Sequence, residues 1–177
     1  ENLKPGILDG HILINMDSED EGELYIGCAG GIDTTVKFKY TEEQIPKNTI
    51  AYIVSVKGLK GGHSGLDIHL GKGNACLILN KTLLNACERY GILMASIDAG
   101  SLRNAIPREA FATVVVPSGE ESNFVKFIGE SNSAAKAMLK DIDPDVKIEA
   151  SKTELPGFVW DAITQHNFYQ AVDDCPN

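Results

Sequence analysis

The chain has 177 residues, of which 43% are hydrophobic and 23% charged, so it can bury a core and is not a disordered polymer. Its net charge of −9 and isoelectric point near 4.9 exclude the basic stripe that a nucleic-acid partner would call for. No run of about 18 apolar residues is present to span a membrane, and no signal peptide is visible, while a start at Glu1 rather than methionine points to a processed product or an excised fragment.

In chain order, Gly10 to Met16 is a short apolar run that reads as a buried strand ending at Asp17. An acidic loop follows, with five carboxylates between Asp17 and Glu23. Leu24 to Cys28 is again strand-like, and Ala29-Gly30-Gly31 breaks it. Thr34 to Thr41 alternates Val36, Phe38 and Tyr40 with Thr35, Lys37 and Lys39, the pattern of a half-buried strand. Pro46-Lys47-Asn48 turns the chain into a strand over Thr49 to Val56, which delivers His63 among Gly58, Gly61, Gly62 and Gly65. Asn74 to Tyr90 is a predicted helix with Cys76, Leu79, Leu83 and Cys87 on one face, ended by Gly91.

Ile92 to Ala99 and Ala110 to Pro117 read as strands joined by the polar segment Gly100 to Glu109. Ser118-Gly119-Glu120-Glu121 has the capping-box form and opens a helix to about Leu139. Asp143-Pro144-Asp145 turns into a strand over Val146 to Thr153, and a last helix runs from about Phe158 to Asp173. The order predicts an α+β fold: a two-layer sandwich of ferredoxin-like type, an antiparallel sheet with helices on one face and an extra leading strand. Residues 1–28 read as a remnant of a different, parallel-sheet domain, and residues 29–177 as the sandwich. Cys28, Cys76, Cys87 and Cys175 form no CxxC pair and read as reduced thiols of a cytoplasmic protein.

Three segments carry residues suited to chemistry. Asp17 ends an apolar strand, where open α/β sheets place ligands; it could bind zinc or manganese, or simply begin a solvated acidic loop. His63 is either a loop residue bonded to a nearby carbonyl or a donor to a substrate carbonyl during acyl transfer. Arg103 and Asn104, with Arg108 beyond, either bind a carboxylate through a guanidinium fork and an amide or belong to an ordinary hairpin connection.

Read together, Ile14 to Glu23, Gly27 to Gly31, Lys57 to His69 (KGLKGGHSGLDIH), Leu102 to Glu109 (LRNAIPRE) and Ala171 to Asn177 resemble the aminoacyl-histidine (Xaa-His) dipeptidase family. That family belongs to the zinc peptidase clan of carnosinases, aminoacylases and carboxypeptidase G. The resemblance implies a catalytic α/β domain with two divalent metals, zinc among them, and an inserted ferredoxin-like lid that mediates homodimerisation. Asp17 then falls on a metal-ligand position, and His63 on the lid histidine that polarises the scissile carbonyl, often in the partner's active site. Asn104, Arg103 and Arg108 fall in the segment that contacts the dipeptide substrate. The family's HxD histidine, bridging aspartate, paired glutamates and C-terminal metal histidine have no counterpart here. The expectation is a lid, inactive alone, that works with the remainder of its own catalytic domain. The rival reading is a free-standing ferredoxin-like module that dimerises or binds a small ligand; a tripeptidase or deacylase lid is a further option.

Overall fold

The computed structural model describes residues 6, 9–12, 14, 21–27 and 30–175, and it divides into two units, Glu1–Val36 and Lys37–Asn177. In the first unit none of the described residues forms a helix or strand, and all of them are exposed. The strands expected at Gly10 to Met16 and Leu24 to Cys28 are therefore not formed by their described residues.

The second unit is built on β2 (Thr49–Lys57), whose nearly continuous apolar sequence suits a strand with neighbours on both sides. It pairs antiparallel with β6 (Ala110–Pro117) and β7 (Lys147–Thr153), and β6 pairs in turn with β4 (Leu93–Ala99). Two helices, α1 (Ala75–Tyr90) and α2 (Glu121–Met138), connect these strands. The resulting βαββαβ unit has strand order β4-β6-β2-β7, the ferredoxin-like arrangement. Alternation along the strands sends Tyr52, Val54, Val56, Ala112, Val114, Val116 and Ile148 to one face. There they meet Leu79 and Leu83 of α1 and Phe124, Phe127 and Ile128 of α2, the main core. A smaller cluster of Ala51, Ala95, Val115 and Val159 lies apart from it.

Helix α1 follows the sequence reading closely. The Asn74 side chain accepts from the Cys76 and Leu77 N–H groups at 3.0 and 3.3 Å, and Gly91 ends the helix at φ 61° with its N–H donating to Cys87. Cys76 and Cys87 flank the buried stripe, half-buried, and burial pushes both thiols up.

Three expectations are corrected. Residues 34–41 form no strand; pairing is confined to β1 (Glu42–Glu43) against β8 (Val159–Trp160). The alternation there reflects aromatic packing instead, with Phe38 edge-on to Phe168 at 5.6 Å and Tyr40 stacked on Trp160 at 4.8 Å. The capping box is not formed: a 3-10 turn over Ser118–Glu120 precedes α2 with no side-chain cap. Its Glu121 is engaged elsewhere, accepting from the Tyr52 hydroxyl and from Lys152 at 2.6 Å each. The last helix, α3 (Ala162–Asp173), begins later than expected because Val159 and Trp160 are taken into β8, and Asp161 caps it. Gln165 of α3 is buried and accepts from the Met94 N–H at 2.6 Å while donating to the Ile92 carbonyl at 3.0 Å, so it satisfies the start of β4.

Candidate functional site

The segment between β2 and α1 is held by what surrounds it. At its start Gly58 has φ 78°, and a Cβ there would run into the Asp145 carbonyl, so glycine is required on both counts. Leu59 returns to the core. Two short strands then pair, β3 (Gly62–His63) with β5 (Ala105–Ile106), placing His63 opposite Ala105. The Ser64 N–H donates to the Asn104 carbonyl at 3.0 Å and continues the ribbon. The start of α1 binds the same region, with the Ala75 N–H donating to the Pro107 carbonyl at 2.9 Å.

The His63 ring is exposed and oriented by its own loop. Its Nδ1 accepts from the Gly65 N–H at 3.0 Å and the Leu66 N–H at 3.1 Å. With Nδ1 an acceptor, the neutral ring carries its proton on Nε2, which is left as a donor. The His63 N–H donates to Asp67 Oδ2 at 2.9 Å, and the same oxygen accepts from Lys72 Nζ at 3.0 Å. The Lys72 ammonium, and then the His63 N–H, hold the Asp67 carboxyl below its ordinary value. This arrangement can offer one fixed N–H to an oxygen that gains charge, as acyl transfer requires.

Of the residues singled out from sequence, His63 and Asn104 are brought side by side across the ribbon. Arg103 and Asn104 are exposed. Arg108 lies against Gly61 and lines a cleft of about 560 Å³ together with Lys60, Asp98 and Glu109. His63, Arg103 and Asn104 do not line that cleft. Asp17 lies outside the described residues. Among the described residues no group of three histidine, cysteine, aspartate or glutamate side chains is placed to hold a metal. The described residues thus do not fit a metal centre.

Two carboxylates in this region carry more than their sequence patterns indicated. Asp67 stands within the glycine-rich motif but took no role from its spacing. Asp143 read as a turn residue before proline. It is in fact fully buried, and it accepts from the Lys60 N–H at 2.8 Å and the Gly73 N–H at 2.7 Å. No local pattern signals partners so distant in the chain.

Residues 54–143 match the peptidase dimerisation domain of M20 peptidases. Over 175 residues the chain is 50% identical to the cytosol non-specific dipeptidase of Escherichia coli (strain K12), covering 99% of this chain and 36% of that protein. Among solved structures, the aminoacylhistidine dipeptidase of Vibrio alginolyticus superposes with a TM-score of 0.77 at 34% identity, covering 79% of this chain and 29% of that one. A further curated relative, the succinate–CoA ligase [ADP-forming] subunit alpha of Aquifex aeolicus (strain VF5), is 34% identical over 82 residues, 45% of this chain and 25% of that protein; this shorter match carries no part of the assignment. The chain spans about a third of the length of the dipeptidase it matches. With the βαββαβ sheet and the matched segment in agreement, the chain belongs to the M20 peptidase dimerisation domain family.

Proposed function

We propose that this chain is the lid and dimerisation domain of a metal-dependent dipeptidase, cytosolic and homodimeric, whose substrates include dipeptides with a C-terminal histidine. The names of the two dipeptidase relatives support the dipeptide class, and one of them supports the histidine preference. In this reading His63 donates from Nε2 to the scissile carbonyl oxygen and stabilises the charge that develops there. Asn104, with Arg103 and Arg108, contacts the substrate. The metals, and the ligand position assigned to Asp17, belong to the catalytic part of the enzyme; the lid alone hydrolyses nothing.

The observation that carries this reading is the pair of backbone N–H groups on His63 Nδ1. A ring whose Nδ1 is occupied in this way offers Nε2–H rather than a lone pair, so it suits an oxyanion and not a metal. The test is His63→Ala in the full-length enzyme with a Xaa-His dipeptide. Loss of one oxyanion donor lowers kcat by about a hundredfold or more, with a much smaller change in KM. An unchanged kcat would remove His63 from the reaction. In the same assay the 177-residue chain with added zinc shows no turnover; turnover at an enzyme-like rate would refute the lid reading.

A further inference from the structure

The loop from Leu59 to Gly73 has little regular structure of its own beyond β3 and a 3-10 turn over Ile68–Leu70. Its two ends are joined by a carboxylate from another part of the chain. Asp143, in the turn between α2 and β7, has no solvent exposure. Its Oδ1 accepts from Lys60 N–H at 2.8 Å and its Oδ2 from Gly73 N–H at 2.7 Å.

The turn that carries Asp143 is itself fixed. The Asp143 N–H donates to the Leu139 carbonyl at 2.8 Å, and the Asp143 carbonyl accepts from the Val146 N–H at 3.1 Å. Lys60 makes a second attachment there, from Nζ to the Ile142 carbonyl. At the other end a Cβ on Gly73 would meet Leu59 and Leu139, so the base of the loop has no room to shift.

Both ends lead to the same imidazole. From Lys60 the chain runs through Gly61 into β3, which ends in His63. From Gly73 it runs through Lys72, whose Nζ holds Asp67 Oδ2 at 3.0 Å, and that oxygen holds the His63 N–H at 2.9 Å. Bonds from backbone N–H to a buried carboxylate are stronger than neutral ones, and an amide in its place would turn an NH₂ group toward one of the two donors.

We propose that Asp143 is a positioning residue for His63, fixing the base of the loop so that Nε2–H is presented at one place. The proposal rests on the reading of His63 as a carbonyl donor, so two measurements separate the two ideas. The first is amide exchange in the full-length protein carrying Asp143→Asn, followed by mass spectrometry. The peptide containing Gly65 and Leu66 should exchange about tenfold faster, while peptides from β2 and β6 keep their protection. Unchanged exchange around His63 would overturn the proposal. So would equal loosening of the β2 and β6 peptides, which would make Asp143 a general structural residue.

The second is a double-mutant cycle on dipeptide hydrolysis. Asp143→Asn should lower kcat by about tenfold with KM changed by less than about twofold, and should cost less than about twofold when His63 is already alanine. An equal loss in both backgrounds would overturn the proposal. If His63→Ala alone leaves kcat intact, the carbonyl-donor reading falls, and the exchange result alone decides whether Asp143 holds the loop.

Discussion

At the scale of single residues, His63 is defined by what its backbone neighbours do to Nδ1. A histidine set among glycines was visible in the sequence, but the choice between a satisfied loop residue and a displayed donor was not. The ring does not donate to a nearby carbonyl; its Nδ1 accepts from the Gly65 and Leu66 N–H groups, which puts the proton of the neutral ring on Nε2. Gly58 shows what the glycines are for, since its φ of 78° and the nearby Asp145 carbonyl both exclude a side chain. Gly58→Ala should cost about 3 kcal/mol or more, from left-handed strain together with the collision. Urea unfolding of the variant checks this, and a loss below about 0.5 kcal/mol, the size of an ordinary surface substitution, would mean that the loop yields without strain.

At the scale of elements, those whose signals lie within their own sequence agree best with expectation. Helix α1 has its stripe, its Asn74 cap and its Gly91 terminator all inside one segment. Asn74→Ala should destabilise the fold by about 1 kcal/mol, measured as a lower thermal midpoint, because two N–H groups of the first turn lose their acceptor. The elements misjudged from sequence are those whose residues serve a distant partner. Glu121 leaves the capping box for Tyr52 and Lys152. Burial, with the Glu121 carboxylate beside it, pushes the Tyr52 hydroxyl up to about 12. Phe38 and Tyr40 alternate in strand fashion because their rings reach Phe168 and Trp160.

At the scale of the Lys37–Asn177 unit, the segments before β2 and after β7 are tied together. Asp161 Oδ2 accepts from the Thr41 N–H at 2.9 Å, its Oδ1 accepts from the Thr164 N–H at 2.8 Å, and the Asp161 N–H donates back to the Thr41 carbonyl at 3.0 Å. The Thr41 and Thr164 N–H groups hold the Asp161 carboxyl below its ordinary value. Lys152 and the Tyr52 hydroxyl do the same for Glu121, and Lys72 with the His63 N–H for Asp67. A carboxyl depressed in the folded state contributes stability above its unfolded value, which is lost as pH falls through the folded one. The thermal midpoint should therefore decline on acidification below about pH 4, the ordinary carboxylate range, and Asp161→Asn should flatten part of that decline. A midpoint with the same acid slope in the variant would show that this clasp contributes nothing to it.

The sequence by itself determined β2, α1, β4, β6, α2 and β7 in their order, their ferredoxin-like arrangement, and the segments that carry His63 and Asn104. Periodicity, turn residues and caps act over one or two turns of chain, so they can be read without the fold. Only the tertiary structure decided the β3–β5 ribbon and the use of Asp143 and Asp161 as clamps. Lys60 lies 83 positions from Asp143 and Thr41 lies 120 from Asp161, and a hydrogen bond across such a distance exists only once packing has brought its donor and acceptor together.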